Sequence, residues 1–540
     1  MTGADLFVSE LQARGVTWIS ALCGNGLDPL LGACRRAGVR LVDTRNEQTA
    51  AYMAECWGRL TRRVGVCAVS SGVAHANAMT GVLNAAFDGA PMLLITGAGP
   101  LATTGMGHFQ DLDHAALAAP ACKYARVVDA PERIPQLMHE AFAAALSGRP
   151  GPAHLTLPMC VQNAPAREAI RRPAAGEALT RCAAPEALVE RAAALLSEAE
   201  RPLLVAGSGA YYAGAEEALA AFAGEMALPV AVPIWDRGAV PADIPQFMGV
   251  LGAATGGPRL LPDADLVILL GAACDYRVGY LRPPGIAPEA RILRVDVDPA
   301  RLRTGGAADL AISADPGTFL GQLRRAAAER RIAPFEAWLA AARHRRLAHR
   351  RAVLAAASRD GIRALHIIEA LAQTLTDESA FVLDGGCIGQ WFHQVLCDRY
   401  PARLLTCGAS GVIGFGIAGA MAARLARPDA PVLLLSGDGS MTFTIADIEC
   451  ATRQRLPFVA IVADDQSWGI VETGHRKRFG EPIASHLGPI RFDLVAEGFG
   501  ARGVAIHRPE EIAPAIREGL AADRPTVIHV PITTAMPVPG

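Results

Sequence analysis

Short apolar runs recur along the chain and alternate with longer stretches whose apolar positions repeat at helical spacing. Wholly apolar runs of this length are typical of strands buried on both faces, and their alternation with helices predicts parallel sheets. In the first third of the chain the runs are Trp18 to Leu22, Val64 to Val69 and Met92 to Thr96. Changes in composition separate three such units, over residues 1–165, 185–340 and 360–540. We therefore predict an α/β protein with three doubly wound parallel-sheet domains.

Two apolar runs in the last unit end in acidic residues. The run 431–436 stops at Gly437-Asp438-Gly439, where a backbone without side chains can approach an anion closely. The run 457–463 ends at Asp464-Asp465. Because open parallel sheets bind ligands at the carboxyl ends of their strands, we expect both sets of carboxylates at one site. Magnesium prefers such oxygens and often shares them with a phosphate, so the pattern predicts a diphosphate held through a divalent cation.

The spacing of these acids resembles the motif of thiamine diphosphate enzymes. Asp465 follows Asp438 by 27 residues, as in that motif, although Asn is commoner than Asp at this last side-chain ligand. The resemblance implies that Mg²⁺ is held by Asp438, Asp465 and the main-chain oxygen of Ser467. It also implies that Gly437, Gly439 and Ser440 bind the cofactor's diphosphate. The alternative is an ordinary turn with two surface carboxylates.

A second segment, far away in the sequence, supplies an acid for the same cofactor. The β-like run 41–43 leads through a loop into an Ala-rich helix, so Glu47 lies at or near a helix start. The segment resembles the Arg-His-Glu-Gln-x-Ala-Ala sequence of the family. That resemblance implies that Glu47 protonates or hydrogen-bonds the aminopyrimidine ring and is the indispensable catalytic residue. The alternative is an acid favoured in the first turn by the helix dipole.

Other glycine-rich loops extend the resemblance around the cofactor. The segment 384–387 follows an apolar run and resembles the first diphosphate-side loop, which implies that Gly386 and Cys387 contact the cofactor. The segment 408–416 resembles the loop that grips the aminopyrimidine through the carbonyl of Gly411. Ile413 matches the bulky residue that bends the cofactor. Close backbone packing alone explains most of the remaining glycines.

Length and charge limit the classes of function. The 540 residues are too many for one core, and the net charge of −2 without a basic block argues against nucleic acid as a partner. The amino terminus lacks an apolar signal core, and the longest uncharged run, 404–423, is broken by glycines. We therefore expect a soluble, cytoplasmic protein with no membrane partner. Its 12 cysteines contain no Cys-x-x-Cys pair and are expected to be reduced thiols.

The central unit raises the question of a second nucleotide. Gly207-Ser208-Gly209 follows an apolar run, but Tyr212 stands where a dinucleotide loop has its third glycine. The chain resembles acetolactate synthases along nearly its whole length, and those enzymes carry a flavin in this domain that performs no redox step. Arg277 matches an arginine of their corresponding loop. The sequence leaves flavin adenine dinucleotide open without favouring it.

The substrate side is less specific. Gln110 matches the glutamine that acetolactate synthases and benzaldehyde lyase place over the reacting carbon, and His75 replaces a small residue where the substrate channel passes the cofactor. A histidine there could move protons near neutral pH, although a loop residue bonded to backbone is the alternative. Together these features favour making or breaking a carbon–carbon bond of a small carbonyl substrate. The alternatives are a 2-oxo acid or acyl-coenzyme A decarboxylase or lyase, and an inactive cofactor-binding subunit.

The resemblance also implies the role of each unit and a partner. It makes the first unit the pyrimidine-binding domain, the second a nucleotide-fold domain and the third the diphosphate-binding domain. In the family the cofactor lies between the first domain of one subunit and the third of another. We therefore expect a homodimer or a homotetramer. The identity of the substrate, and whether the reaction ends in protonation or in addition to an acceptor, do not follow from the sequence.

Overall fold

A computed structural model describes residues 1–166, 181–236, 240, 244–252, 259–396 and 403–533. Within them the chain forms three six-stranded sheets, and every strand pairing is parallel. Helices connect the strands. This arrangement confirms the predicted α/β class with three parallel sheets.

The first sheet has the strand order β2-β1-β3-β4-β6-β5. Its strands are β1 (Trp18–Ala21), β2 (Arg40–Asp43), β3 (Gly65–Val69), β4 (Met92–Ala98), β5 (Tyr124–Val127) and β6 (Pro152–Pro158). The helices of this unit are α1 (Gly3–Ala13), α2 (Asp28–Ala37), α3 (Glu47–Thr61), α4 (Val73–Asp88), α5 (His114–Ala118), α6 (Ile134–Leu146) and α7 (Met159–Asn163). Strands β3 and β6 are buried along their whole length, as their apolar sequences predict.

The second sheet has the order β12-β11-β10-β7-β8-β9. Its strands are β7 (Pro202–Ala206), β8 (Val230–Pro233), β9 (Phe247–Leu251), β10 (Leu266–Leu270), β11 (Arg291–Asp296) and β12 (Leu310–Ser313). Its helices are α8 (Glu186–Ser197), α9 (Ser208–Tyr212), α10 (Glu216–Glu225), α11 (Pro299–Leu302) and α12 (Pro316–Glu329). The long helix α13 (Glu336–Ala356) leads to the third unit.

The third sheet has the order β14-β13-β15-β16-β18-β17. Its strands are β13 (Ala380–Leu383), β14 (Leu404–Thr406), β15 (Val432–Gly437), β16 (Val459–Asp464), β17 (Arg502–Ala505) and β18 (Thr526–Pro531). Its helices are α14 (Ala364–Thr374), α15 (Cys387–Val395), α16 (Gly416–Ala426), α17 (Asp438–Thr442), α18 (Asp447–Arg453), α19 (Gly469–Phe479), α20 (Phe492–Gly498) and α21 (Ile512–Leu520). The prediction that the two acidic runs are neighbouring strands is confirmed, because β15 pairs with β16.

Helix α3 links the first and third units. Its buried face, which includes Tyr52 and Cys56, packs in one hydrophobic cluster with Phe415 and residues of α16. Asp447 at the start of α18 accepts hydrogen bonds from the Thr49 hydroxyl (2.7 Å) and the Arg45 backbone N–H (2.7 Å). The start of α3 is therefore held in a fixed place against the third unit of the same chain.

Two observations concern the predictions about a membrane and about the cysteines. None of the helices within the described residues is both long and apolar enough to span a bilayer. The cysteines in the same part of the chain carry free thiols.

Candidate active site

A cavity of about 290 Å³ opens at the carboxyl edge of the third sheet. It is lined by glycine-rich turns, strand-end acids and a few apolar side chains. Among the residues singled out in the sequence, its lining contains Gly386, Gly411, Ile413, Gly437, Asp438, Gly439, Ser440 and Ser467. Cys387 and Asp465 lie beside it, since a Cβ added to the lining residue Gly469 would be 2.5 Å from Cys387 Sγ and 3.1 Å from Asp465 Oδ2. Eight of the ten residues assigned to the cofactor thus line one cavity, and the other two border it.

Strand pairing brings the acidic residues together. Gly437 lies opposite Ala463 in the β15–β16 ladder, so Asp438 and the pair Asp464-Asp465 follow adjacent strand ends. Burial first, and then the neighbouring Asp465 carboxylate, raise the pKa of Asp438 to about 7. The Ser467 hydroxyl donates to Asp465 Oδ1 at 3.1 Å. Carboxylates this close repel one another, and a bound cation would relieve the repulsion.

These donors fit a magnesium ion that is shared with a diphosphate. Within the described residues no group of three or more His, Cys, Asp and Glu side chains is arranged to hold a metal alone. Mg²⁺ commonly takes one or two carboxylates and completes its octahedron with phosphate, carbonyl and water oxygens. Asp438, Asp465 and the backbone oxygen of Ser467 can supply the protein's share of such a set.

The glycine turns provide close backbone approach. A Cβ on Gly385 would lie 2.4 Å from both Ile413 Cγ2 and Ser440 Oγ, and one on Gly439 would lie 2.5 Å from the Trp468 ring. Gly386 has φ of +121°, a conformation that L side chains rarely adopt. The glycines at the ends of β13 and β15 are therefore required for the close packing of the turns that line the cavity.

Asp384 joins two of these loops. Its carboxylate accepts from the backbone N–H groups of Gly385 (2.7 Å), Gly414 (2.9 Å) and Gly416 (2.9 Å). Burial raises the pKa of Asp384 to about 6, although the three N–H donors oppose the rise. Asp384 thus holds the Gly411 loop against the start of α15. Its position after a strand was visible in the sequence, but its partners were not.

The first unit of the same chain also holds the Gly411 loop. Asp88 accepts from the Ala409 N–H (2.8 Å), and a Cβ on Gly408 would lie 1.8 Å from its carboxylate. The buried Arg59 donates to the Thr406 carbonyl (2.9 Å) and lies 3.5 Å from Asp88. Glu55 completes this ion cluster at 3.1 Å from Arg59. Burying such charges is costly unless they pair, so the cluster fixes the loop's position relative to the first unit.

A buried histidine that the sequence did not single out supports the acidic site. His529 of β18 lies with Nε2 2.8 Å from Asp464 Oδ2 and Nδ1 3.3 Å from Asp493 Oδ1. Asp493 in turn pairs with Arg491. Both ring nitrogens therefore face carboxylate oxygens, and the ring holds Asp464 in place at the end of β16. Only the fold brings β18 beside β16, and so no local pattern marks His529.

Glu47 begins α3, as the sequence predicts. Asn46 is the N-cap and its side chain accepts from the Gln48 N–H at 2.8 Å. Asn77 Nδ2 of α4 donates to Glu47 Oε2 at 3.1 Å. Glu47 does not line the cavity described above, and neither does any other residue of the first unit.

Gln110 lies on another part of the first unit. Its Oε1 accepts from the Ser71 hydroxyl (2.7 Å), which in turn accepts from Asn25 Nδ2 (3.2 Å). Gln110 has φ of +59°, and a Cβ on Gly72 would lie 2.6 Å from the Gln110 Cβ. The glycine is therefore required for the close approach of Gln110 to the start of α4.

His75 faces the interior of the first unit. Its side chain is fully buried, its Nδ1 is 2.7 Å from Thr96 Oγ1, and its ring packs against His114 and His154. Burial lowers the pKa of His75 to about 3, so the ring is neutral at physiological pH. A buried neutral ring is poorly placed to exchange protons with a substrate. The sequence hypothesis of a proton-carrying His75 therefore has no support in its surroundings.

Comparisons with known proteins agree with this fold and site. Residues 1–117 match the family model described as thiamine pyrophosphate enzyme, N-terminal TPP binding domain. Residues 189–323 match the central domain, and residues 384–530 match the C-terminal TPP binding domain of the same enzymes.

Relatives that align along nearly the whole chain support the same family. The acetolactate synthase isozyme 2 large subunit of Escherichia coli is 30% identical over 537 residues, covering 98% of this chain and 96% of the relative. The probable acetolactate synthase large subunit of Methanocaldococcus jannaschii is 28% identical, covering 100% and 93%. Human 2-hydroxyacyl-CoA lyase 2 is 29% identical, covering 94% and 86%.

The chain belongs to the thiamine pyrophosphate-dependent enzyme family. Within that family it is acetolactate synthase-like. It is therefore an enzyme that uses thiamine diphosphate to form or cleave a carbon–carbon bond next to a carbonyl, and the alternative of an inactive subunit is not favoured.

Replacing Asp438 tests the acidic site. We expect thiamine diphosphate with Mg²⁺ to raise the melting temperature of the wild-type protein but not that of Asp438→Ala. A ligand at about 100 times its Kd stabilises a folded protein by about 2.7 kcal/mol, enough for a measurable shift. Asp523→Ala, at a side chain that is 88% exposed, is the matched control and should behave as wild type. An equal shift in Asp438→Ala would contradict the assignment.

Replacing His529 tests the supporting histidine. His529→Phe keeps an aromatic ring but removes both ring nitrogens, so the buried Asp464 carboxylate loses its hydrogen-bond partner, which costs about 1–3 kcal/mol. We expect a lower free energy of unfolding in urea and weaker binding of thiamine diphosphate with Mg²⁺ in a fluorescence titration. His529→Gln, which retains a donor, should recover part of both. If neither quantity changes in His529→Phe, the supporting role is wrong.

Proposed function

We propose that the enzyme is a carboligase that acts on a 2-oxo acid in the manner suggested by its acetolactate synthase relatives. The observation that carries the proposal is the cavity at the end of β15 and β16, where buried carboxylates and glycine turns adjoin. Asp438, Asp465 and the main-chain oxygen of Ser467 hold Mg²⁺. Gly386, Cys387, Gly437, Gly439 and Ser440 surround the diphosphate, while Gly411 and Ile413 contact the rings of the cofactor.

When bound, thiamine diphosphate supplies a carbon nucleophile and accepts the electron pair released as the substrate's carbon–carbon bond breaks. Glu47 holds or donates the proton at the aminopyrimidine ring. Asn77 orients its carboxylate through the 3.1 Å hydrogen bond to Oε2. Gln110 would face the reacting carbon when the cofactor is bound, and Ser71 fixes its side-chain oxygen.

A homodimer completes this site. The cavity in one chain is lined by residues of the second and third units, so Glu47 and Gln110 reach it from a partner. Exposed apolar side chains support this arrangement. Helix α4, which carries Asn77, exposes the side chains of Val73, Leu83 and Phe87 by between 46% and 70%. Near the cavity, the side chains of Phe443, Ile470 and Val471 are between 45% and 49% exposed. Exposed apolar patches are typical of protein interfaces, and Leu83 and Phe87 lie one helical turn apart on α4. A tetramer would pair two such dimers.

The substrate class is tested with a small panel. Wild-type protein with thiamine diphosphate and Mg²⁺ is expected to release carbon dioxide from pyruvate or benzoylformate and to couple the remaining acyl group to a second carbonyl compound. Gas release and product chromatography measure the two steps. Cleavage of benzoin or of a 2-hydroxyacyl-coenzyme A without carbon dioxide release would instead identify a lyase and contradict the proposal.

Replacing Glu47 tests its proton-transfer role. Glu47→Gln keeps the size of the side chain and should still bind the cofactor, but it cannot transfer the proton, so kcat should fall by roughly 10²- to 10⁴-fold. Glu186→Gln is the matched control because that acid also lies in the first turn of a helix, α8, and does not line the cavity. Near-normal turnover by Glu47→Gln would show that another group transfers this proton and would contradict the role of Glu47.

A further inference from the structure

The nucleotide-type turn of the central unit is filled by the protein itself. The Ser208 N–H donates to Asp236 Oδ1 at 3.2 Å, and the Ser208 hydroxyl donates to the same oxygen. The Gly209 N–H donates to the Gly271 carbonyl at 2.9 Å. A flavin diphosphate would require N–H groups of this kind and would meet the Asp236 carboxylate instead. These residues do not fit flavin adenine dinucleotide.

Packing explains the glycines of this turn without a ligand. A Cβ on Gly207 would lie 2.5 Å from Ala272 Cα, and one on Gly209 would lie 2.7 Å from Gly271 Cα. The ends of β7 and β10 approach too closely for side chains at these positions. The Gly-x-Gly pattern therefore has a structural cause in this chain.

Arg277 holds Asp236 from the other side. Its guanidinium donates to Asp275 (2.8 Å) and lies 3.7 Å from Asp236 Oδ2, and it is only 3% exposed. Asp236 thus contacts Ser208 through one oxygen and Arg277 through the other. Buried contacts on both carboxylate oxygens fix the backbone that follows β8.

The residue before this anchor enters the cavity of the third unit. Trp235 lines it together with Cys407, Gly411 and Ile413. Its carbonyl accepts from the Thr406 hydroxyl at 2.7 Å, and its ring lies 6.5 Å from that of Tyr276. Its φ is +64°, an unfavourable conformation for a bulky side chain that persists only when the surroundings impose it. Such strain is commonly found at active sites and ligand clamps.

We propose that Trp235 is a specificity-determining residue that limits the space for the substrate, and that Asp236 is the positioning residue that holds it there. The inference rests on the proposed function, which assigns Gly411 and Ile413 to the cofactor's rings. Trp235 lies beside the loop that carries them, since its carbonyl accepts from Thr406 and the Tyr276 hydroxyl, next to its ring, donates to the Ala409 carbonyl at 3.0 Å. An indole beside the cofactor's rings leaves room for a donor with a small side chain.

The first test compares donors of two sizes. In Trp235→Ala, the ratio of kcat/KM for benzoylformate to kcat/KM for pyruvate should rise at least about tenfold. Removing the indole opens space for the larger donor, and apolar space of this size changes the preference between two substrates by about that factor. Trp235→Phe should give a smaller change. Tyr280→Ala, at a 48% exposed ring of the same central unit, is the control and should leave the ratio unchanged. An equal ratio in Trp235→Ala and wild type would overturn the inference.

The second test addresses the anchor. Asp236→Ala should shift the same ratio in the same direction, through KM more than kcat, because Trp235 is released but still present. Asp236→Asn keeps an acceptor for Ser208 and should return the ratio toward the wild-type value. A uniform loss of kcat for both donors would indicate a merely structural role and would contradict positioning by Asp236.

A rise in the wild-type melting temperature on adding flavin adenine dinucleotide would contradict the filled turn.

A binding measurement separates this inference from the proposed function. Thiamine diphosphate with Mg²⁺ should quench wild-type tryptophan emission through Trp235 and Trp468, which both line the cavity, and Trp235→Phe should lose a measurable part of that quenching while its Kd stays close to the wild-type value. Unchanged quenching in Trp235→Phe would overturn the inference alone, even if the wild-type protein turns over neither acid. If the wild-type protein binds no thiamine diphosphate at all, the proposed function fails and this inference fails with it.

Discussion

The crowding of carboxylates around the buried Asp438, at two adjacent strand ends, is the constraint on which the site depends. Asp438 and Asp465 follow β15 and β16, and burial first, then the neighbouring Asp465 carboxylate, raises the pKa of Asp438 to about 7. A cation between them and a diphosphate would convert this unfavourable arrangement into a binding site. His529 holds Asp464 in place, and glycine turns line the cavity beside these acids. Hydrogen bonds from the backbone of the Gly411 loop to Asp384 and to Asp88 hold this loop in place beside the site.

The elements and site residues that could be predicted from the sequence are those set by a local pattern. The apolar runs before Asp438 and Asp464 required buried strands, and consecutive strands of a doubly wound sheet commonly lie side by side. Glu47 could be placed at a helix start because Asn46 and the Ala-rich segment after it are local signals. The spacing from Asp438 to Asp465 then identified the cofactor class, which the family comparisons confirm.

The parts that could not be predicted depend on which side chains meet across the fold. His529 contacts Asp464 from 65 residues away, and Asp236 meets Ser208 and Arg277 only after the central sheet has formed. His75 shows a further limit of sequence reasoning. Its neighbours in sequence suggested a channel residue, but the helical turn at the start of α4 directs its ring toward Thr96 and His154. Sequence adjacency to a site does not determine which face a helical side chain occupies.

The most direct measurement of the central claim is complementation between two inactive chains. Glu47→Gln and Asp438→Ala subunits, each inactive alone, would be refolded or expressed together in equal amounts. If each site takes Glu47 from one subunit and Asp438 from its partner, half of the dimers are mixed and each keeps one intact site, so about a quarter of the wild-type activity should return. Recovery of no activity from dimers shown to be mixed would contradict a shared site and, with it, the proposed arrangement around thiamine diphosphate.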